Sequence, residues 1–169
     1  MPSSPPLTPL AAAVLHVGAP ERILQIECGD GEGALFLSRE FPSARVRGID
    51  GSEASVRRAS ERVGLDPEGR IAFKQGSPRS LPFPPDHFDL LAALDAHPAA
   101  TEAARVLRPG GFLVLVATGR PEVSSGLRGA FLRRRLARLG FEQIWTQQAG
   151  EGSFAVSRLR GGGAPGLAL

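Results

Sequence analysis

The chain has 169 residues, of which 22% are charged, and a formal net charge of +3 at neutral pH. This length is typical of a single domain with its own core, and so modest a charge does not indicate nucleic acid as a partner. A single cysteine, Cys28, excludes an internal disulfide and a cysteine-based zinc site. No apolar run reaches membrane-spanning length and no signal peptide is evident, so we expect a cytoplasmic protein with no membrane partner.

Short apolar runs alternate with helix signals along a single predicted domain, residues 1–160. Residues 1–6 are rich in proline and serine and are expected to be disordered, and residues 161–169 are expected to form a flexible tail. Predicted helices cover 7–17, 32–41, 52–63, 98–107 and 124–139, and predicted strands cover 22–27, 45–49, 71–74, 88–93, 112–117, 141–146 and 154–159.

The last two predicted strands flank Gly150-Glu151-Gly152 with no helix between them. Such a hairpin makes the final strand antiparallel, whereas the earlier β-α repeats predict parallel strands. This α/β pattern differs from a plain dinucleotide-binding fold, in which the last strands are parallel.

The segment Ile-Leu-Gln-Ile-Glu-Cys-Gly-Asp-Gly-Glu-Gly, residues 23–33, is an apolar strand that leads through Glu27 into a glycine-rich loop. Its glycines stand at alternate positions: Gly29, Gly31 and Gly33. They indicate a tight turn where the backbone can approach a ligand. A second apolar run ends in Asp50, which places a carboxylate at the tip of a neighbouring strand. Open α/β sheets bind nucleoside-containing ligands at this edge, with the acid on the ribose hydroxyls.

Two ligand classes fit this loop. Residues 29–34 match the relaxed dinucleotide fingerprint G-x-G-x-x-A, so a nicotinamide-dependent oxidoreductase is one alternative. The acid before the first glycine favours another, because Glu-x-Gly-x-Gly-x-Gly resembles motif I of the class I S-adenosylmethionine-dependent methyltransferases.

Two further segments resemble the same family. Residues 81–91, Leu-Pro-Phe-Pro-Pro-Asp-His-Phe-Asp-Leu-Leu, are similar to its approach to the fourth strand. Residues 104–115, Ala-Arg-Val-Leu-Arg-Pro-Gly-Gly-Phe-Leu-Val-Leu, are similar to its helix-to-fifth-strand segment. The resemblance covers roughly residues 20–160 and is nearest to the ubiquinone/menaquinone-biosynthesis type. It implies a Rossmann-like three-layer sandwich, a seven-stranded sheet of order 3-2-1-4-5-7-6 with strand seven antiparallel, S-adenosyl-L-methionine as cofactor, and methyl transfer to an unidentified acceptor.

The resemblance also implies roles for the acids. Glu27 would attract the ammonium of the methionine moiety, or it would form a salt bridge to an arginine. Asp50 would accept hydrogen bonds from the ribose, or it would cap the helix at Ser52. The three glycines would let the loop backbone run close to the methionine moiety, or they would only shape a structural turn.

The adenine side departs from the family pattern. Gly51 stands where an apolar residue usually covers the ring, and Ser77 stands in a loop where an acid is common. Ser77 could still accept a hydrogen bond from the adenine amine, and Pro78 could cover the ring.

The predicted substrate region, 94–98, is several residues shorter than in the family. Asp95 and His97 lie where catalytic groups of the family tend to lie, and His97 is a candidate base for a hydroxyl acceptor, or else an ordinary loop residue. So short a region predicts an open cleft, which a homo-oligomer or a partner protein would complete. The alternative function is a weakly active or inactive methyltransferase-like module that acts by binding a partner.

Two other features have simpler interpretations. Cys28 has no evident histidine partner, so we assign it no chemistry. Residues 128–138 carry five arginines: Arg128, Arg133, Arg134, Arg135 and Arg138. An apolar stripe is expected on the same helix: Phe131, Leu132, Leu136 and Leu139. The arginines indicate a solvated basic face or, less simply, a patch for an acidic partner.

Overall fold

The computed structural model describes residues 7–118 and 126–161, with the side chains of 126–128 left out. The segment predicted to be disordered, 1–6, and nearly all of the predicted tail, 162–169, lie outside the described residues. The helices are α1 (Thr8–Val14), α2 (Glu32–Glu40), α3 (Glu53–Val63), α4 (Ala100–Val106) and α5 (Gly126–Arg138). The strands are β1 (Arg22–Ile26), β2 (Arg45–Asp50), β3 (Ile71–Gln75), β4 (Phe88–Leu94), β5 (Leu107–Ala117), β6 (Phe141–Ala149) and β7 (Gly152–Leu159).

The seven strands form one sheet of order β3-β2-β1-β4-β5-β7-β6. Strand β7 is antiparallel to both of its neighbours, and the other neighbouring pairs are parallel. The predicted sheet order and the predicted antiparallel strand are therefore confirmed. Strands β1 and β4 occupy the middle of the sheet, where burial on both faces suits their nearly continuous apolar sequence.

Two apolar clusters separate the sheet from its helices. Alternate side chains of the central strands enter opposite clusters, so Leu24 and Leu91 pack on the side of α4 and α5, and Ile23 and Leu90 on the side of α1 and α2. This arrangement makes three layers. In the described part of the chain, no helix is long and apolar enough to cross a membrane.

Two predicted boundaries around α4 are wrong. Pro98 does not begin the helix, because Ala99 is still extended (φ −66°, ψ 117°) and α4 starts at Ala100. Helix α4 ends at Val106, within one residue of the predicted end, but β5 begins at Leu107, which pairs with Phe88, and not at 112 as predicted. Pro109-Gly110-Gly111 therefore lies inside the strand. Gly110 has a positive φ of 85°, and a Cβ at Gly111 would come within 2.9 Å of the carbonyl oxygen of Arg108. These glycines shape the start of the strand.

Candidate functional site

The glycine loop, residues 27–33, joins β1 to α2 at the carboxyl edge of the parallel strands. Its backbone turns through positive φ angles at Glu27 (48°), Gly29 (55°) and Gly31 (85°). A Cβ added at Gly29 would meet no atom within 4 Å, so this glycine faces open space. Gly29 is therefore the glycine of the loop whose backbone a ligand can approach.

The other two glycines of the loop are required by packing. A Cβ at Gly31 would come within 2.9 Å of the Phe73 ring and 3.0 Å of the Ala59 Cβ. A Cβ at Gly33 would come within 2.7 Å of the buried Gln25 amide. Gly31 and Gly33 thus let the loop lie close to its neighbours, which is the structural alternative weighed for them above.

Asp50 connects the tips of β1 and β2. Its Oδ2 accepts a hydrogen bond from the Gly29 N–H at 2.9 Å, and its Oδ1 accepts from the Ser52 N–H at 2.8 Å. Ser52 is the N-cap of α3, as predicted, and its hydroxyl accepts from the Ser55 N–H at 3.3 Å. A carboxylate offers about four acceptor positions, so Asp50 has two left for a ribose diol while it organises both loops.

Glu27 follows the end of β1 and lies across from Asp50, because Ile26 pairs with Ile49. Its side chain is exposed and has no hydrogen bond or ion pair with any residue in the described ranges, so the arginine alternative gains no support. A glutamate with φ of 48° carries backbone strain of about 1–2 kcal/mol, because its Cβ crowds the carbonyl oxygen. Strain of this kind clusters at ligand-binding sites.

Gly51 and Ser77 both lie next to Asp50. The Gly76 N–H donates to the Asp50 carbonyl at 3.0 Å, and the Gln75 side-chain amide donates to the Gly51 carbonyl at 3.0 Å. A Cβ at Gly51 would find no atom within 4 Å, and the Ser77 hydroxyl accepts from the Arg79 N–H at 3.2 Å. This side of the site is therefore open, and the Ser77 hydroxyl keeps its own proton and a second lone pair for a ligand.

Asp95 and His97 do not form a hydrogen-bonded pair. Asp95 accepts from the Thr118 N–H at 2.8 Å and from the Thr118 hydroxyl, which joins the ends of β4 and β5. His97 is exposed and has no hydrogen-bond partner among the described residues. Because no neighbouring group fixes its ring, the predicted catalytic role of His97 gains no support from geometry.

Cys28 lies under the glycine loop, where 4% of its surface is exposed. Burial, reinforced by the negative charge of Asp50, raises the pKa of its thiol to about 12. The thiol is protonated at neutral pH and is a poor nucleophile, in agreement with assigning it no chemistry. Among the described residues, no group of three or more histidine, cysteine or acidic side chains could hold a metal ion.

A polar network between α4 and the connection from β3 to β4 was missed by the sequence reasoning. Arg105 donates to the carbonyls of Leu81 and Phe83 at 2.9 and 2.8 Å and to both oxygens of Glu102 at 2.7 Å. Glu102 also accepts from the Leu81 N–H at 2.7 Å. The hydrogen bond from Arg105 holds the pKa of Glu102 below its usual value. Residues 76–87, which connect β3 to β4 without a helix, are held in this way.

The amino end of the sheet holds a second pair of charged side chains, Asp89 and Arg108. Asp89 accepts from the N–H groups of Glu21 and Arg22 at 2.9 Å and from the Arg108 guanidinium at 3.2 Å. Asp89 and Arg108 belong to two of the family-like segments, so those segments are partly structural. Their partners lie 19 to 68 residues away, and only their membership of the family-like segments could have indicated a role.

Helix α5 departs from the expected apolar stripe at one position. Leu132, Leu136 and Leu139 pack on the core, but Phe131 is 64% exposed. The described arginines of this helix are exposed and form no ion pair with a described residue: Arg133, Arg134, Arg135 and Arg138. The side chain of Arg128 lies outside those described.

Comparison with known proteins places the chain in a family. Residues 23–111, just over half of the chain, match the methyltransferase domain family. The chain is 38% identical over 117 residues, or 64% of its length, to the 27-O-demethylrifamycin SV methyltransferase of Amycolatopsis mediterranei, of which it covers 43%. It is 32% identical over 139 residues, or 77% of its length, to a ubiquinone/menaquinone biosynthesis C-methyltransferase of Syntrophotalea carbinolica, of which it covers 58%. The chain thus spans about half the length of these relatives.

Solved structures show the same fold. A SAM-dependent methyltransferase from Aquifex aeolicus superposes with a TM-score of 0.75 at 18% identity, covering 94% of each chain. The complex between the Haloferax volcanii Trm112 methyltransferase activator and a putative methyltransferase gives 0.73 at 18% identity, covering 91% of this chain and 90% of that one.

The carboxyl edge fits the family's cofactor on its own chemistry. The spare acceptor positions of Asp50 suit a ribose, and Glu27, which has no cation beside it in the described ranges, suits an ammonium group. Gly29 faces open space and lets a ligand approach the backbone. The antiparallel β7 and the matched family both oppose the dinucleotide alternative. The chain therefore belongs to the class I S-adenosylmethionine-dependent methyltransferase family.

Proposed function

We propose that this chain binds S-adenosylmethionine at the carboxyl edge of its sheet and transfers the methyl group to an acceptor beside it. One observation carries the proposal. Asp50 ties the glycine loop to the start of α3 with two hydrogen bonds and still has acceptor positions free, and an unneutralised Glu27 stands next to it. A purely structural turn explains the bonds of Asp50 but makes no use of the Glu27 carboxylate.

Each side chain of the site then has a role. Asp50 would accept from the ribose hydroxyls, and Glu27 would pair with the ammonium of the methionine moiety. Gly29 would leave room for the backbone to pass the methionine moiety. Gly51 and Ser77 would border the adenine, with the Ser77 hydroxyl as its polar contact.

When bound, the cofactor supplies a methyl group activated by a positively charged sulfur, so the protein mainly has to align the acceptor. Asp95 would act by holding the ends of β4 and β5 together through Thr118. His97 stands free to accept a proton from a hydroxyl acceptor, whereas an acceptor that is already anionic needs no base.

Titration calorimetry with S-adenosylmethionine, S-adenosylhomocysteine and NAD tests the proposal. We expect binding of the first two and none of NAD. Asp50→Asn should weaken binding roughly ten- to a hundredfold, because charge-assisted hydrogen bonds are lost. Asp66→Asn is the matched control, since Asp66 accepts a backbone N–H (Ile71, 2.9 Å) at the opposite end of the sheet. NAD binding without S-adenosylmethionine binding would overturn the proposal, as would equal effects of the two variants.

A second candidate is a module that gains activity, or acts, only with a partner or a second copy of the chain. The open space at Gly51 and the exposed Ser77 favour it, because they leave the adenine side thinly covered. The relative in complex with the Trm112 activator is a precedent for such a partner. Methyl transfer by the isolated, strictly monomeric chain at a rate that no partner increases would exclude it. A cytoplasmic location is part of both proposals, and cell fractionation would test it.

A further inference from the structure

A groove of about 750 Å³ separates the loop after β4 from helix α5. Pro98 and Ala100 form one wall and are buried, and Phe131 and Leu132 belong to the other. The volume lies within the range of small-molecule sites, and the walls have the apolar character of such sites. The largely exposed Phe131 ring is the side chain that an apolar ligand would cover.

Positive charge lines the same groove. Arg134 and Arg135 are exposed on it, and the Arg135 guanidinium lies 6.0 Å from the centre of the Phe131 ring. Neither arginine forms an ion pair within the described ranges. The acids that flank the opposite wall along the chain are engaged elsewhere, because Glu102 bonds to Arg105 and Asp95 bonds to Thr118. The groove therefore combines an apolar wall with two guanidinium groups that have no counter-charge among the described side chains.

One end of the groove lies at the carboxyl edge. His97 lines it and follows the last residue of β4, Leu94, by three positions. Strand β4 pairs with β1 through Ala93 and Ile26, and the residue after Ile26 is Glu27. A ligand in this groove would thus sit beside the proposed cofactor site.

We propose that this groove holds the methyl acceptor and that the acceptor is a free amphiphilic carboxylate with an apolar body. One carboxylate oxygen would form the new bond to the methyl carbon as the bond from that carbon to the sulfur breaks, which gives a methyl ester and S-adenosylhomocysteine. The inference rests on the function proposed above. The apolar body would cover Phe131 and Leu132, and the carboxylate would pair with Arg134 and Arg135, whose planar groups suit bidentate contact. The specificity lies in the combination, since neither half of the groove alone would select such a molecule.

Titration of the full chain with decanoate, below its micelle concentration, tests the chemistry of the groove. Decanol carries the apolar body without the charge, and acetate carries the charge without the body. We expect saturable binding of decanoate at one site and at least tenfold weaker binding of the other two. Equal affinity for decanoate and decanol, or for decanoate and acetate, would overturn the inference.

Two double variants of α5 locate the binding. Arg134→Gln/Arg135→Gln removes the charges that line the groove, and we expect a loss of decanoate affinity of at least tenfold. Arg133→Gln/Arg138→Gln removes the same charge from arginines of this helix that do not line it, and we expect unchanged affinity. Equal losses would indicate a general attraction to the basic helix, or to an anionic lipid surface, and would overturn the proposed site. Ala130→Trp should block decanoate by filling the groove, with Ala137→Trp as its control.

Titration of S-adenosylmethionine against the same samples separates the two proposals. Both double variants should bind it like the parent chain, and Asp50→Asn should lose it while keeping its decanoate affinity. Cofactor binding without decanoate binding overturns the acceptor inference alone. Decanoate binding without cofactor binding overturns the proposed function, and the acceptor assignment falls with it.

Discussion

Charged side chains differ in their bonding between the two ends of the parallel strands. At the amino end and along α4, the charged side chains bond to one another and to the backbone: Asp89, Arg108, Arg105 and Glu102. At the carboxyl end, Glu27 has no partner in the described residues, although the loop holds it at a strained positive φ. Charged groups that are saturated by protein atoms stabilise the fold, whereas unsaturated ones remain available to a ligand. The comparison predicts that substitutions at the amino end change stability and that those at the carboxyl end change binding.

Arg105→Met should have the largest effect on stability. It removes the donors for two backbone carbonyls and leaves Glu102 without its cation, so we expect the free energy of unfolding to fall by about 2–3 kcal/mol. Denaturant unfolding measures this loss. Arg160→Met, which removes an exposed ion pair with Glu142, should cost less than about 1 kcal/mol. A change in cofactor affinity of the folded Arg105 variant would contradict the division between the two ends.

Thr118→Val should lower the free energy of unfolding by about 1 kcal/mol, because Asp95 loses the hydroxyl that bonds to it. Thr118→Ser keeps that hydroxyl and should retain the stability. Cofactor affinity should not change in either variant, since the Asp95 carboxylate is already bonded to Thr118. Thermal unfolding and calorimetry check both statements, and a loss of binding in Thr118→Val would place Asp95 in the ligand site.

Glu27→Gly should move stability and binding in opposite directions. Relief of the positive φ should raise the free energy of unfolding by up to about 1 kcal/mol, while loss of the carboxylate should weaken S-adenosylmethionine binding roughly tenfold or more. Asp86→Gly is the matched control, because Asp86 has φ of 51° near the amino end. It should change stability in the same direction and leave binding unchanged. If Glu27→Gly binds S-adenosylmethionine as tightly as the parent chain, Glu27 does not pair with the ammonium of the cofactor.

The smallest expected effect is a pH dependence from His87 at the amino end. Burial, with Arg22, Arg108 and Arg47 nearby, holds the pKa of His87 below 6.5. Below pH 6.5 His87 is protonated more readily in the unfolded chain than in the folded chain. The free energy of unfolding therefore falls as the pH decreases from 7 to 5. His87→Gln should flatten this part of the curve. Glu102, with its pKa below 4.5, loses its contribution only at more acidic pH.

The sequence allowed the sheet to be predicted further than the site. Alternating short runs and the hairpin at Gly150-Glu151-Gly152 give the final antiparallel strand, and the resemblance supplies the strand order, which is confirmed. Local signals failed around α4, where the pairing of Leu107 with Phe88 starts β5 ahead of Pro109 and the glycines after it. Tertiary contacts decide such boundaries, and proline or glycine alone does not.

For the site, spacing predicted which acids share an edge but not what else they bond to. Asp50 organises two loops, and Asp95 bonds to Thr118, 23 residues further along the chain. Arg105 escaped notice for the same reason, since its partners come from a loop more than 20 residues earlier. Phe131 was assigned to the core by its spacing, yet it is adjacent to Leu132 and points away from the core-facing side of the helix.

The buried Cys28 thiol under the glycine loop can report on local motion of that loop. Alkylating reagents attack the thiolate, which a pKa of about 12 makes scarce, and the surrounding loop keeps the sulfur out of reach. The rate at which Cys28 reacts is therefore set by how often this segment lifts off the sheet. A ligand that bridges Gly29 and Asp50 slows that opening. Because the chain has one cysteine, the kinetics of thiol labelling measure how often the glycine loop opens, without any introduced probe.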